Sequence, residues 1–206
     1  MPNKLDKDAD KKIAANFNTF RKLCETVGDR AENMLKLVDY FDIRLAIAPA
    51  SGRTNYHSCY PGGLIDHSLK VLKNAMKIIK SYDMNSRYDK DTLVIVCLMH
   101  DIGKLGDLDN DFYLVNDSDW HRERGMLYKI NDSIQYMSHS DRSIYLLQHF
   151  GVKLSEDEWL AIKIHDGPGV DENRTYRMKE NMLSLILHQA DRMATQLEKE
   201  EYDANS

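Results

Sequence analysis

Apolar residues recur at three- and four-residue spacings through most of this chain, and that period predicts helices. Ile13, Phe17, Phe20, Leu23, Cys24 and Val27 form one such stripe, giving a helix over about 11–26 that Gly28 ends. Met34, Leu35, Val38, Phe41 and Leu45 form a second, over about 29–47. Residues 48–63 have no period and carry Pro49, Gly52, Pro61 and Gly62-Gly63. A loop of that length goes with function or with disorder. Leu64, His67, Val71, Met76, Ile78 and Ile79 lie near one side of a helix over 64–82. Asp91 is expected to cap the next helix, which takes in the apolar run Leu93–Met99, ends in His100-Asp101 and stops before Gly103.

The period then shortens. Phe112–Val115 and Met126–Ile130 read as two short strands, with the charged tip Asp117–Arg124 between them, so a hairpin is expected. Helical spacing resumes over Asp141–Phe150, which Gly151 ends. Ser155 and Glu158 form a capping box for a helix to His165, and Gly167-Pro168-Gly169 is a turn. Met182 to about Lys199 is the last long helix. No internal repeat or low-complexity segment interrupts the pattern. These elements predict an all-α helical bundle with a small β-hairpin insertion.

Composition narrows the class. At 206 residues the chain has the length of one domain, or one domain with short appendages. A hydrophobic fraction of 42% and a charged fraction of 30% are those of a soluble globular protein. The net charge of −5 argues against non-specific binding to duplex nucleic acid and leaves a local basic groove open. Three widely spaced cysteines, Cys24, Cys59 and Cys97, without a CxxC pair argue against a disulfide framework and favour a reducing compartment. The N-terminal MPNKLDKDADKK lacks the apolar core of a signal peptide. No stretch reaches the ~18 apolar residues of a membrane span. The cytoplasm is therefore expected, whether of a bacterium or, for a viral protein, of its host.

Candidate chemistry centres on His100-Asp101, followed by Gly103 and Lys104. An imidazole beside a carboxylate at the mouth of a buried helix can hold a divalent metal, and such a metal makes hydroxide from water near neutral pH. The dipeptide alone is also a favourable C-terminal cap. Gly103 permits a tight turn, which would leave Lys104 close enough to neutralise a bound phosphate. His67, His139 and His165, taken singly, read more often as satisfied core histidines. Asp191 differs, because it sits within the apolar helix Ile186–Ala194, where a buried unpaired carboxylate costs several kcal/mol. Adjacent Arg192 points elsewhere on that helix, so a metal is the simpler partner. Four histidines and two aspartates exceed what one metal with an open position needs, whereas two metals bridged by Asp101 would use them all.

The order of these residues carries a resemblance. His67, then His100-Asp101 with Gly103-Lys104, then His139, His165 and Asp191 resembles the HD-domain metal-dependent phosphohydrolases. Ala48–Ser51 through Tyr56-His57, and Gly62–Ser68, are similar to the segment that leads into that family's ligand helix. Ser138–Ser143 resembles its Gly-His-Gly-Glu-Lys-Ser segment, with Ser138 and Ser140 in place of both glycines. Glu158 to Gly167 resembles its Glu-x-x-Ala-Ile-x-x-His stretch, and Ala190-Asp191 its closing Ala-Asp. The likeness covers about residues 45–195 and leaves residues 1–44 as an N-terminal helical extension of one HD-type domain over 1–206.

By that resemblance His67, His100, Asp101 and Asp191 bind one metal, and His139 and His165, with Asp101 bridging, bind a second. The two extra histidines resemble the binuclear branch. The implied activity is hydrolysis of a nucleotide's phosphoester or phosphoanhydride bonds, with Asp101 and Lys104 catalytic. Lys104, His57, Arg122 and Arg124 are candidate contacts to the substrate. A phosphodiesterase or 3′-5′ exonuclease acting on cyclic nucleotides or oligonucleotides is the alternative, and a non-catalytic nucleotide-binding module a third. Imidazole-rich ligation favours Mn, Fe, Co, Ni or Zn over Mg. Asp166 reads as a turn or supporting residue, because Gly167-Pro168-Gly169 follows it. His188, three residues before Asp191, reads as supporting or core, and His149 as a structural residue with no part in the chemistry. Trp120, Tyr113 and Tyr128 could stack on a base, though hairpin aromatics more often pack onto the body. The base, the sugar, the number of phosphates and any homo-oligomer are left open.

Overall fold

A computed structural model describes residues 4–204, with side chains from Lys7 onward. The first residues of the polar N-terminal stretch and the last two of the chain lie outside the described set, and so does that part of the expected 1–206 extent.

Helix α1 (Lys4–Cys24) starts earlier than its apolar stripe. The residues before Lys11 are mainly polar and charged, so spacing could not place them. The single helix expected over 29–47 is a 3-10 turn followed by α2 (Ala31–Tyr40) and α3 (Asp42–Ile47). They part at Phe41, whose backbone leaves the helical region at φ −100° and ψ 15°. Its buried ring meets Tyr40 and Phe150 at 4.9 and 5.9 Å.

After the loop over 48–62, α4 (Gly63–Ser81) begins behind Gly62, which is left-handed at φ +81°. A Cβ on Gly62 would lie 2.9 Å from Ile13, so the start of α4 sits directly on α1. Helix α5 (Lys90–Met99) is capped by Asp89, not Asp91: the Asp89 carboxylate accepts the Thr92 N–H at 2.7 Å. Asp91 falls in the first turn, where a negative charge suits the helix dipole. Leu93 through Met99 are all buried, as a helix that is apolar all round requires. Helices α1, α4 and a later one, α8 (Glu156–Lys163), pack around α5, and α9 (Met182–Asp203) packs against α4 and α8.

The hairpin pairs β1 (Tyr113–Val115) with β2 (Tyr128–Ile130), antiparallel, with Leu114 opposite Lys129. Its tip is not a plain charged turn. Asp119–Arg122 forms one helical turn, α6, whose cap Ser118 accepts the His121 N–H. Backbone bonds from Tyr128 to Gly52 and from Thr54 to Gly125 lay the hairpin on the 48–62 loop. Helix α7 (His139–His149) begins two residues earlier than spacing predicts, because Ser138 caps it. The Ser155–Glu158 capping box is present on α8. Glu158 is buried and also accepts from Arg30 at 2.7 Å, which ties α8 to the chain's N-terminal region. A 3-10 turn over Asp171–Tyr176 lies between the Gly167 turn and α9. The architecture is a helical bundle with one small hairpin. Among the described residues, no helix is long and apolar enough to cross a membrane. All three cysteines are buried free thiols.

Candidate metal centre

Five segments deliver side chains to one place. Helix α4 carries His67 in its second turn, and α5 ends by delivering His100 and Asp101 from the middle of the core. His139 opens α7, His165 follows the last turn of α8, and Asp191 lies midway along α9. Gly103 permits this convergence by its lack of a side chain rather than by a left-handed backbone. A Cβ there would lie 2.1 Å from the His139 carbonyl oxygen. Ser143 completes the join, since its hydroxyl accepts the Gly103 N–H at 2.8 Å and lies 2.8 Å from the His100 carbonyl.

The donor atoms sit at ligand spacing. Bonds of about 2.0–2.2 Å place two ligands of one ion about 2.9–3.5 Å apart when adjacent and about 4.2 Å apart when opposite. His67 Nε2 lies 2.9 Å from Asp191 Oδ1 and 4.0 Å from Asp101 Oδ2, and His100 Nε2 lies 3.5 Å from Asp101 Oδ2. On the other side, Asp101 Oδ1 lies 3.5 Å from His139 Nε2 and 3.4 Å from His165 Nε2. The two imidazole nitrogens are 3.3 Å apart. Asp101 thus turns one oxygen toward each pair of histidines, the disposition of a bridging carboxylate.

The tautomers agree with that disposition. His100 Nδ1 meets the Cys97 carbonyl at 2.9 Å, and His165 Nδ1 meets the Ile162 carbonyl at 2.7 Å. His67 Nδ1 meets Glu198 at 3.2 Å. Carbonyls and carboxylates only accept, so all three rings place a proton on Nδ1 and turn Nε2 inward, the nitrogen that a metal would take in place of a proton. His67 Nε2, His100 Nε2 and Asp101 Oδ1 are buried, and none makes a hydrogen bond with proper geometry to a described protein group. Buried acceptors left in this way fit a divalent cation.

The electrostatics follow from burial and neighbours. Burial alone would raise the Asp101 carboxyl, but Lys104, His100, His165 and His139 hold it well below the usual carboxylate range. Burial would also lower His67, but Asp191 and Glu198 outweigh it and push the imidazole up to about 10. His165 rises to about 9 because Asp166 and Asp101 overcome its burial. His100 falls to about 4, since desolvation dominates there. Burial opposes ionisation of Asp191, yet His67 and His100 hold its carboxyl far below the ordinary value.

Lys104 is mostly enclosed and donates to Asp101 Oδ2 at 2.6 Å. His57 lies 4.5 Å from His67, ring to ring, and could join a group with His67 and Asp101. Desolvation pushes it down to about 2, with His67 and Lys104 adding to the effect, so its ring is neutral. Arg122 and Arg124 are engaged within the hairpin: Arg122 bonds Asp119 and the Asn116 carbonyl, and Arg124 lies 3.8 Å over the Trp120 ring. Asp166, read from sequence as a turn or supporting residue, comes 3.1 Å from His139 Nε2 and could group with His139 and His165. His188 bonds the His165 carbonyl at 2.8 Å, and His149 packs on Tyr145 and Phe150. The residue patterns do not single out Glu198. The signal that could have found it is its spacing of seven residues from Asp191, two turns along the same face of α9.

A helical bundle that closes histidines and aspartates from five segments around one point is the architecture of a metal-centred domain. The description of the HD domain matches residues 64–196, more than half of the chain, and the chain belongs to that family. Its members are generally metal-dependent phosphohydrolases, which supports hydrolase chemistry here. No curated protein and no solved structure matches the chain.

Proposed function

We propose that this protein is a two-metal phosphohydrolase acting on phosphoester or phosphoanhydride bonds of a nucleotide. The observation that carries the reading is Asp101, with its two carboxylate oxygens facing separate pairs of imidazole nitrogens. His67, His100, Asp101 and Asp191 would hold one divalent ion, and His139, His165 and Asp101 the other. Such ions supply Lewis acidity and a water of lowered pKa. Lys104 keeps a positive charge beside Asp101, where it would be within reach of an incoming phosphate oxygen. Neutral His57, whose Nε2 has no hydrogen-bond partner among the described residues, is free to bond a substrate oxygen.

A nucleotide is favoured by the space beside the centre. A cavity of about 390 Å³ is lined in part by His139, with Phe112, Ile130, Ile134, Tyr136 and Met137 as its apolar walls and polar groups such as Asn131, Gln135 and Arg142 completing it. A phosphate held at the centre would leave a flat, largely apolar base over those walls. Asp101→Ala tests the reading. It should abolish bound metal and hydrolysis together while the far-UV spectrum stays helical. Full activity in Asp101→Ala after chelator treatment would refute it.

A further inference from the structure

The ligand candidates are not oriented in the same way. His100 and His165 each bond the carbonyl three residues earlier in their own segment, support that no side-chain substitution removes. His67 lies near the start of its helix and depends on a remote side chain. Glu198, on α9, brings both carboxylate oxygens to His67 Nδ1, at 3.2 and 3.4 Å. Glu198 is 5% exposed, in a stretch of α9 otherwise rich in exposed charge, and it lies beyond the residues that the HD description covers. Lys70, one turn on from His67, lies 3.6 Å from Glu198 and offsets its charge.

We propose that Glu198 is a positioning residue of the metal centre, accepting the Nδ1 proton of His67 so that Nε2 is the nitrogen aimed at a metal beside Asp191. The inference rests on reading His67 as a ligand. A carboxylate in this place does more than a carbonyl, because its charge raises the basicity of the opposite nitrogen as well as fixing the ring. On α9, Asp191 and Glu198 then flank the two nitrogens of one imidazole, at 2.9 and 3.2 Å, with Asp191 on the side where a metal would sit. The rival role is an ion pair that merely joins α4 to α9 through Lys70. Lys70 has other carboxylates for that, Glu201 at 3.2 Å and Asp66 at 3.7 Å.

The test titrates Co²⁺ and Zn²⁺ into chelator-treated full-length protein, comparing the unmodified chain with Glu198→Gln, Glu198→Ala, Glu198→Asp, Lys70→Met and His67→Ala. Glu198→Gln and Glu198→Ala should weaken one of the two metal affinities about 10- to 100-fold. Lys70→Met should stay within about threefold, and Glu198→Asp should recover part of the loss. In the unmodified Zn²⁺ form, the nitrogen-15 spectrum should show the His67 proton on Nδ1. Affinities within twofold in both Glu198 variants, or a His67 proton on Nε2, would overturn the inference. If Glu198→Ala does not fold, Glu198→Gln and the spectrum of the unmodified protein decide. If His67→Ala keeps both ions at full affinity, the ligand reading itself fails. If His67→Ala loses one ion while the Glu198 variants do not weaken it, the positioning role alone fails.

Discussion

Replacing Lys104 with Met separates the two things its charge does. The Nζ atom sits 2.6 Å from Asp101 Oδ2, and the two side chains are 10% and 3% exposed. Removing one member of a buried pair costs about 3–5 kcal/mol, because the other charge is left uncompensated. Here His100, His139 and His165 also face Asp101, so the lower end, about 3 kcal/mol, is expected. For a chain of this size each kcal/mol moves Tm by about 2–4 °C, so chelator-treated Lys104→Met should melt about 6–12 °C lower. Divalent ions should restore most of that difference, because they give Asp101 another cation. The catalytic effect is separate and survives metal loading. Loss of one charge-stabilising donor costs about 2–4 kcal/mol, roughly 30- to 1000-fold, in kcat and kcat/KM alike. Calorimetry with and without chelator, steady-state kinetics and metal analysis on the same samples read all three quantities. An unchanged Tm in both states, with kinetics within twofold, would show that Lys104 neither compensates Asp101 nor stabilises charge in the reaction.

Elemental analysis at saturating Mn²⁺ should give two ions per chain, and one ion in His139→Ala; one ion in both proteins would make His139 and His165 substrate or supporting groups. Ile134→Trp should fill the cavity beside His139, raising KM for a nucleotide about tenfold while leaving hydrolysis of a small aryl phosphate within twofold; equal effects on both would place the base elsewhere. Ser155→Ala removes the capping-box hydroxyl on α8 and should lower stability by about 1 kcal/mol, read as a small fall in the urea midpoint at unchanged slope. Gly167→Ala should destabilise more than that. The residue is left-handed at φ +83°, and a Cβ would lie 2.2 Å from the His188 ring that supports His165, so metal affinity and melting temperature should fall together.

Much of this was legible in the sequence, for physical reasons that differ by element. The run Leu93–Met99 reads as a buried helix because nothing polar interrupts it, and its end at His100-Asp101 follows. His100-Asp101 and Asp191 stand out as polar side chains closing or interrupting an apolar run, whereas His67, His139 and His165 stand out only through their order along the chain. The break at Phe41 was hidden, because that residue continues the apolar stripe while its backbone leaves the helix. Two acidic residues two apart made Asp89 and Asp91 hard to tell apart as caps, and only the Thr92 hydrogen bond decides. Gly103 pointed to a turn, whereas close approach of the His139 carbonyl is what it allows. Glu198 lies in Gln196–Glu201, which reads as a solvated charged face, and long-range packing of α9 on α4 is what buries it. The turn residues after Asp166 masked its approach to His139.

The most direct test of the account is product analysis by mass. Mn²⁺-loaded protein is incubated with nucleoside mono-, di- and triphosphates, cyclic nucleotides and short oligonucleotides, alongside chelator-treated protein and Asp101→Ala. The account predicts cleavage of a phosphorus–oxygen bond in a nucleotide by the loaded protein and by neither control. Tight nucleotide binding with no product under any metal would contradict it and identify a binding module built on the same fold.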